Sequence, residues 1–63
     1  MKIRTELWCE QSLMAIDIPM GDVEPFLNIL RTYGFEDENG NEYKLRCIAV
    51  CPDGVVAYLD LVN

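Results

Sequence analysis

The chain has 63 residues, 51% of them apolar, and carries eleven acidic against five basic side chains for a net charge of −6. That length admits one domain, 1–63, which buries only about 60% of its unfolded surface, and the apolar half of the composition excludes a disordered chain. No stretch approaches the roughly 20 apolar residues of a membrane span, and Thr5 to Gln11 holds no apolar run of the kind a signal peptide needs, so a cytoplasmic location is expected.

From Met1 to Cys9 the chain alternates. Ile3, Thr5, Leu7 and Cys9 fall on one side, and Lys2, Arg4, Glu6 and Trp8 on the other, which is the period of a half-buried strand. Glu10-Gln11-Ser12 is a polar break that suits a hairpin turn. Leu13 to Ile18 then places Met14, Ile16 and Ile18 opposite Leu13, Ala15 and Asp17, and Pro19 ends that strand because it has no amide to donate.

A helix follows. Asp22 is expected as its N-cap. Glu24 suits the positive end of the dipole, and Pro25 in the first turn should lose no helical bond. Val23, Phe26, Leu27, Ile29, Leu30 and Tyr33 form an apolar arc of roughly 160°, with Glu24, Asn28, Arg31 and Thr32 opposite. Gly34 can adopt the left-handed conformation that closes a helix, and Phe35 can fold back on its last turn.

A short strand at Phe35 to Glu38 precedes a hairpin at Asn39-Gly40, where a type I′ turn would need positive φ at both residues. Glu42 to Val50 reads as a strand with Tyr43, Leu45, Cys47 and Ala49 on one face and Lys44, Arg46, Ile48 and Val50 on the other. Pro52-Asp53-Gly54 is a tight turn. Val55 to Val62 is the last strand, with Val55, Ala57, Leu59 and Leu61 opposite Val56, Tyr58, Asp60 and Val62. The expected fold is α+β: a small antiparallel sheet of four or five strands, order β-β-α-(β)-β-β, with one helix on one face.

One helix covers one face of a small sheet, yet these strands are apolar on both. Trp8, Ile48, Val50, Val56, Tyr58 and Val62 fall opposite the core positions and would form an exposed patch. Trp and Tyr are residues that dominate binding energy when buried at an interface. A second signal is charge. Glu36, Asp37, Glu38 and Glu42 lie within seven residues that contain no cation, with a smaller acidic pair at Asp22 and Glu24. Such a surface repels nucleic acid and speeds encounter with basic partners, including a protein whose own groove binds nucleic acid. Solvation of a hairpin tip is the plain alternative. Four of the five cations, Lys2, Arg4, Lys44 and Arg46, share the outer face; if their strands were neighbours, they could line a site for single-stranded nucleic acid beside Trp8. Glu6, Glu10 and Glu42 on the same face would neutralise it, so nucleic acid is the weakest expectation.

Catalysis has little support. Without histidine, the usual base for a cysteine or serine nucleophile is missing, and so is the ligand that three cysteines would need to complete a zinc site. The four glycines are isolated, so there is no phosphate loop, and neither a cofactor nor a metal is expected. Cys47 and Cys51 would stand about 13 Å apart along one strand, too far for a disulfide. A bridge from Cys9 stays open, but three buried thiols acting as small hydrophobes is the simpler expectation. No enzyme is expected.

The sequence therefore points to a small acidic protein-binding module, with Trp8, Ile48, Val56 and Tyr58 as apolar contacts and Glu36, Asp37, Glu38 and Glu42 as the charges that steer it. By analogy of size and charge alone, phage-encoded or mobile-element inhibitors of host machinery, anti-CRISPR proteins among them, act in this way by occluding a surface in the host cytoplasm. The competing expectation is a homodimer or larger homo-oligomer whose sheet faces pack together, with a structural or small-ligand role.

Overall fold

The computed structural model describes residues 1–62. Five strands and one helix follow the order β1 (Lys2–Cys9), β2 (Ser12–Pro19), α1 (Met20–Tyr33), β3 (Phe35–Glu36), β4 (Glu42–Cys51) and β5 (Gly54–Leu61). The α+β class and the element order are as expected.

The sheet order is β2-β1-β5-β4-β3. β1 pairs antiparallel with β2 and parallel with β5, so the sheet is mixed where an antiparallel one was anticipated. The reason lies in α1, which carries the chain from the β2 edge to the opposite edge. β3 and β4 then return antiparallel to each other, and β5 drops into the centre beside β1. Central strands are apolar on both faces, and β5 is the strand richest in such residues. Gly54 opens it where a Cβ would run into the Arg4 carbonyl oxygen, so only glycine fits there.

The core lies between α1 and one sheet face. Leu7 and Cys9 from β1, Val55, Ala57 and Leu59 from β5, and Leu27 and Leu30 from α1 form it, with Val23, Phe26, Leu45 and Ile48 packed against it. Thr5 is buried beside them and donates its hydroxyl to the Ile3 carbonyl at 3.4 Å.

The helix begins one turn earlier than expected. Pro19 occupies the N-cap position without a side-chain bond, and Asp22 lies in the first turn. The Met20 amide continues the β1–β2 ladder to the helix start, donating to the Met1 carbonyl at 2.9 Å. Pro25 is consequently inside the helix, where its missing amide leaves the Gly21 carbonyl without an i+4 donor. At the other end Gly34, at φ 75 and ψ −155, takes a conformation essentially reserved for glycine. It turns the chain into β3 with its amide still bonded to the Leu30 carbonyl at 2.9 Å.

β4 departs most from the expected alternation. A bulge between Leu45 and Cys47 makes Leu45 the partner of Leu59 and Cys47 the partner of Tyr58. Arg46 is the extra residue, and every side chain after it changes face. Ile48 is therefore opposite Ala57 and Val50 opposite Val55, both on the helix side. Ile48 packs on the core and does not belong to the outer face assigned to it from sequence. Among the described residues, no helix is long and apolar enough to cross a membrane.

Candidate protein-contact surface

The outer sheet face has no covering element among the described residues. Register aligns Leu13, Trp8, Tyr58 and Cys47 in one row across β2, β1, β5 and β4. The next row is Ala15, Glu6, Val56 and Ala49. Trp8, Val56, Tyr58 and Ala49 are half-buried by their neighbours, whereas Leu13, Ala15 and Cys47 are exposed. The structure thus brings together three of the four apolar site residues expected from sequence, Trp8, Val56 and Tyr58, and sends Ile48 to the other side. Leu13 and Cys47 take its place. Leu13 was legible, because a two-residue turn at Glu10-Gln11 sets it opposite Trp8. Cys47 was not, because nothing in Leu45-Arg46-Cys47 announces a bulge.

Polar groups border these rows. The Arg46 guanidinium lies over the Tyr58 ring, 5.8 Å from its centroid, and its Nε is 3.3 Å from Asp60 Oδ1. Arg4 Nε donates to Glu6 Oε2 at 3.1 Å. Both pairs are exposed, so they orient side chains more than they stabilise the fold. The cationic stripe considered for nucleic acid is divided, since β5 separates β1 from β4 and carboxylates accompany Arg4 and Arg46.

The acidic segment splits into two roles. Asp37 does not present a free carboxylate. Its Oδ1 accepts the amides of Asn39 and Asn41 at 2.9 Å each, and its Oδ2 accepts Asn41 Nδ2 at 3.0 Å and the Tyr43 hydroxyl at 3.2 Å. These donors, the Asn41 side chain first, hold its carboxyl below the usual aspartate range. Asp37 is therefore the organiser of the β3–β4 loop, a role that its place in the acidic run did not announce. The loop is not a type I′ turn either. The Gly40 amide bonds the Asp37 carbonyl at 3.2 Å and the Asp37 amide bonds the Asn41 carbonyl at 3.0 Å, with positive φ at Gly40 (83°) and not at Asn39. That is the three-residue loop of a turn followed by a left-handed glycine. Glu36, Glu38 and Glu42 remain exposed, and Glu36 is directly opposite Glu42 across the two strands, an arrangement that costs stability unless a cation lies nearby.

The cysteines are all free thiols, but only Cys9 is buried; Cys47 and Cys51 are exposed, which corrects the expectation of three buried thiols. Burial, and after it the Asp37 charge, pushes the Cys9 thiol up from its usual pKa. On the helix side a shallow apolar groove of about 420 Å³ separates α1 from the β4–β5 turn. Ile3, Met20, Val23, Val50 and Val55 line it, with Arg31 and Glu24 at its rim. Val50 in its wall is 82% accessible.

Comparison of the chain with protein-family models, with curated proteins and with solved structures finds no match.

Proposed function

We propose that the chain is a protein-binding module that docks its outer sheet face against a partner with a basic surface. The observation that carries this reading is the uncovered row Leu13–Trp8–Tyr58–Cys47, with Val56 and Ala49 beneath it. An aromatic pair fixed on a rigid sheet, half-buried and rimmed by charge, matches the anatomy of an interface: apolar anchors inside, polar groups at the edge. The exposed Glu36, Glu38 and Glu42 extend from the β3 end of the same sheet, and the net charge of −6 favours approach to a cationic target. Occlusion of that target, hence inhibition, is the form of activity such a module can exert without chemistry of its own.

The test is capture from a lysate of the native host by tagged wild type, by Trp8→Ala with Tyr58→Ala, and by Glu36→Lys with Glu38→Lys, each verified as folded by circular dichroism. The double alanine variant is expected to lose the captured protein, and the charge reversal to weaken capture in a salt-dependent way. Undiminished capture by the folded alanine variant would remove the outer face from the account.

A further inference from the structure

We propose that the free edge of β2 pairs antiparallel with the same edge of a second copy, joining two five-stranded sheets into one. This dimer rests on the β2 edge and does not depend on the outer-face reading above.

The two ends of the sheet are built differently. At one end β3 contributes only Phe35–Glu36, and β4 behind it carries the bulge at Arg46 together with Lys44. Short strands, bulges and cations are the devices that stop an edge from recruiting another strand. At the other end β2 runs for eight residues, Ser12–Pro19. Its stretch Leu13-Met14-Ala15-Ile16 holds no charge, proline or glycine. Leu13, Met14 and Ile16 are 46%, 42% and 39% exposed, on both faces of the strand. Among the described residues, nothing pairs with that edge.

The edge is also complementary to itself. Cys9 and Ser12 close a two-residue hairpin, so alternation along the ladder turns the amides of Ser12, Met14 and Ile16 toward β1 and those of Leu13, Ala15 and Asp17 outward. A twofold axis at Ala15 sets Ala15 opposite Ala15 of the second copy and Leu13 opposite its Asp17. Every outward amide and carbonyl from Leu13 to Asp17 then has a partner. On the helix side the same register places Met14 opposite Ile16 of the second copy. It also keeps the two Asp17 carboxylates apart, whereas an axis at Asp17 would oppose them directly. The acidic β3–β4 loop lies at the far end of the strand order from β2. With a longest molecular dimension of 35 Å, its charges in the two copies are separated by more than the screening length of about 8–10 Å. The axis is normal to the sheet, so both helices lie on one side and both Trp8–Tyr58 rows on the other.

Sedimentation over roughly a hundredfold range of concentration tests this on three proteins. Wild type is expected to shift from one to two chain masses. Ala15→Pro, which removes an outward amide and leaves the bonds to β1 in place, is expected to remain a monomer with unchanged circular dichroism. Ala15→Cys, in a Cys47→Ser, Cys51→Ser background, is expected to form a covalent dimer with oxidised glutathione, because directly paired Cα atoms stand about 5.5 Å apart, within disulfide reach. A Thr32→Cys control in that background should not cross-link. A wild type that stays monomeric overturns the proposal, as does a dimer in which Ala15→Cys fails to cross-link. If Ala15→Pro does not fold, the cross-link decides.

Discussion

Glu10 and Leu61 join the two ends of the sheet's central strands: the Glu10 carboxylate accepts the Leu61 amide at 2.9 Å while the Glu10 backbone is held at φ 59. A non-glycine residue at positive φ costs on the order of 1 kcal/mol. It is retained here where the β1–β2 turn meets the end of β5. Removing the side chain as Glu10→Ala loses the bond and keeps the strain, whereas Glu10→Gly loses the bond and relieves it. Glu10→Gly should therefore melt about 4–8 °C above Glu10→Ala, as thermal unfolding followed by circular dichroism can check.

Asp37 makes the β3–β4 loop sensitive to acid. Its carboxyl is held below the ordinary value of 3.8 in the folded chain. A depressed folded value means that the contribution is complete above the unfolded value and fades as pH falls through the folded one. The expected outcome is a stability loss at low pH that is smaller in Asp37→Asn than in wild type. Denaturant titrations at pH 7 and pH 3 measure it. At the alkaline end Tyr43 behaves oppositely: burial, then the Asp37 charge, raises its phenol above 10.0, so that its contribution persists below pH 10 and is lost as pH rises through the raised value.

The bulge at Arg46 is testable by deletion. Removing Arg46 takes out the unpaired residue and lets Leu45, Cys47, Ile48, Ala49 and Val50 face Leu59, Tyr58, Ala57, Val56 and Val55 one to one, so Ile48 and Val50 stay on the helix side. The core is not emptied, so the expected loss is only about 1 kcal/mol, from the exposed contacts of Arg46 and local readjustment of the strand. Arg46→Ala keeps the extra residue and gives up only an exposed ion pair and the contact with Tyr58, so its cost should stay below about 1 kcal/mol. Urea titration of both variants checks this: a loss of about 2–5 kcal/mol on deletion would mean that Ile48 had left the core.

Core and outer face should respond differently to truncation. Leu59 is buried beneath α1, and Leu59→Ala should cost about 2–5 kcal/mol, enough to unfold much of so small a domain at 37 °C. Val56, one strand position from Ala57 but on the other face, is only half-buried. Val56→Ala should cost about 1 kcal/mol or less, and equilibrium denaturation of both variants reads the difference.

Most of the architecture was legible because period and turn chemistry agree: alternation in β1 and β5, glycine at position 34, and the apolar arc of α1 at Val23, Phe26, Leu27 and Leu30, although Ile29 and Tyr33 of that arc are exposed. The misplaced parts share one physical origin, which is that long-range contacts decide them. The parallel β1–β5 pair depends on where β5 finds room, and the helix start depends on Met1, whose carbonyl accepts the Met20 amide across the β1–β2 pair. Ile48 was misassigned because one extra residue inverts a strand with no glycine to mark it. Asp37 looked like one more surface acid, since its donors Asn39, Asn41 and Tyr43 converge on it only after the loop closes. Trp8, Val56 and Tyr58 were placed correctly because each lies on a strand whose alternation is unbroken.

Acrylamide quenching of the single tryptophan tests most directly whether the outer face is open. Trp8 in the isolated chain should be quenched readily and equally at every protein concentration, including those at which β2 edges pair, because edge pairing leaves that face uncovered. An indole with blue-shifted emission that resists quenching, or becomes resistant as concentration rises, would mean that Trp8 is already covered, and the outer face would then be no docking surface.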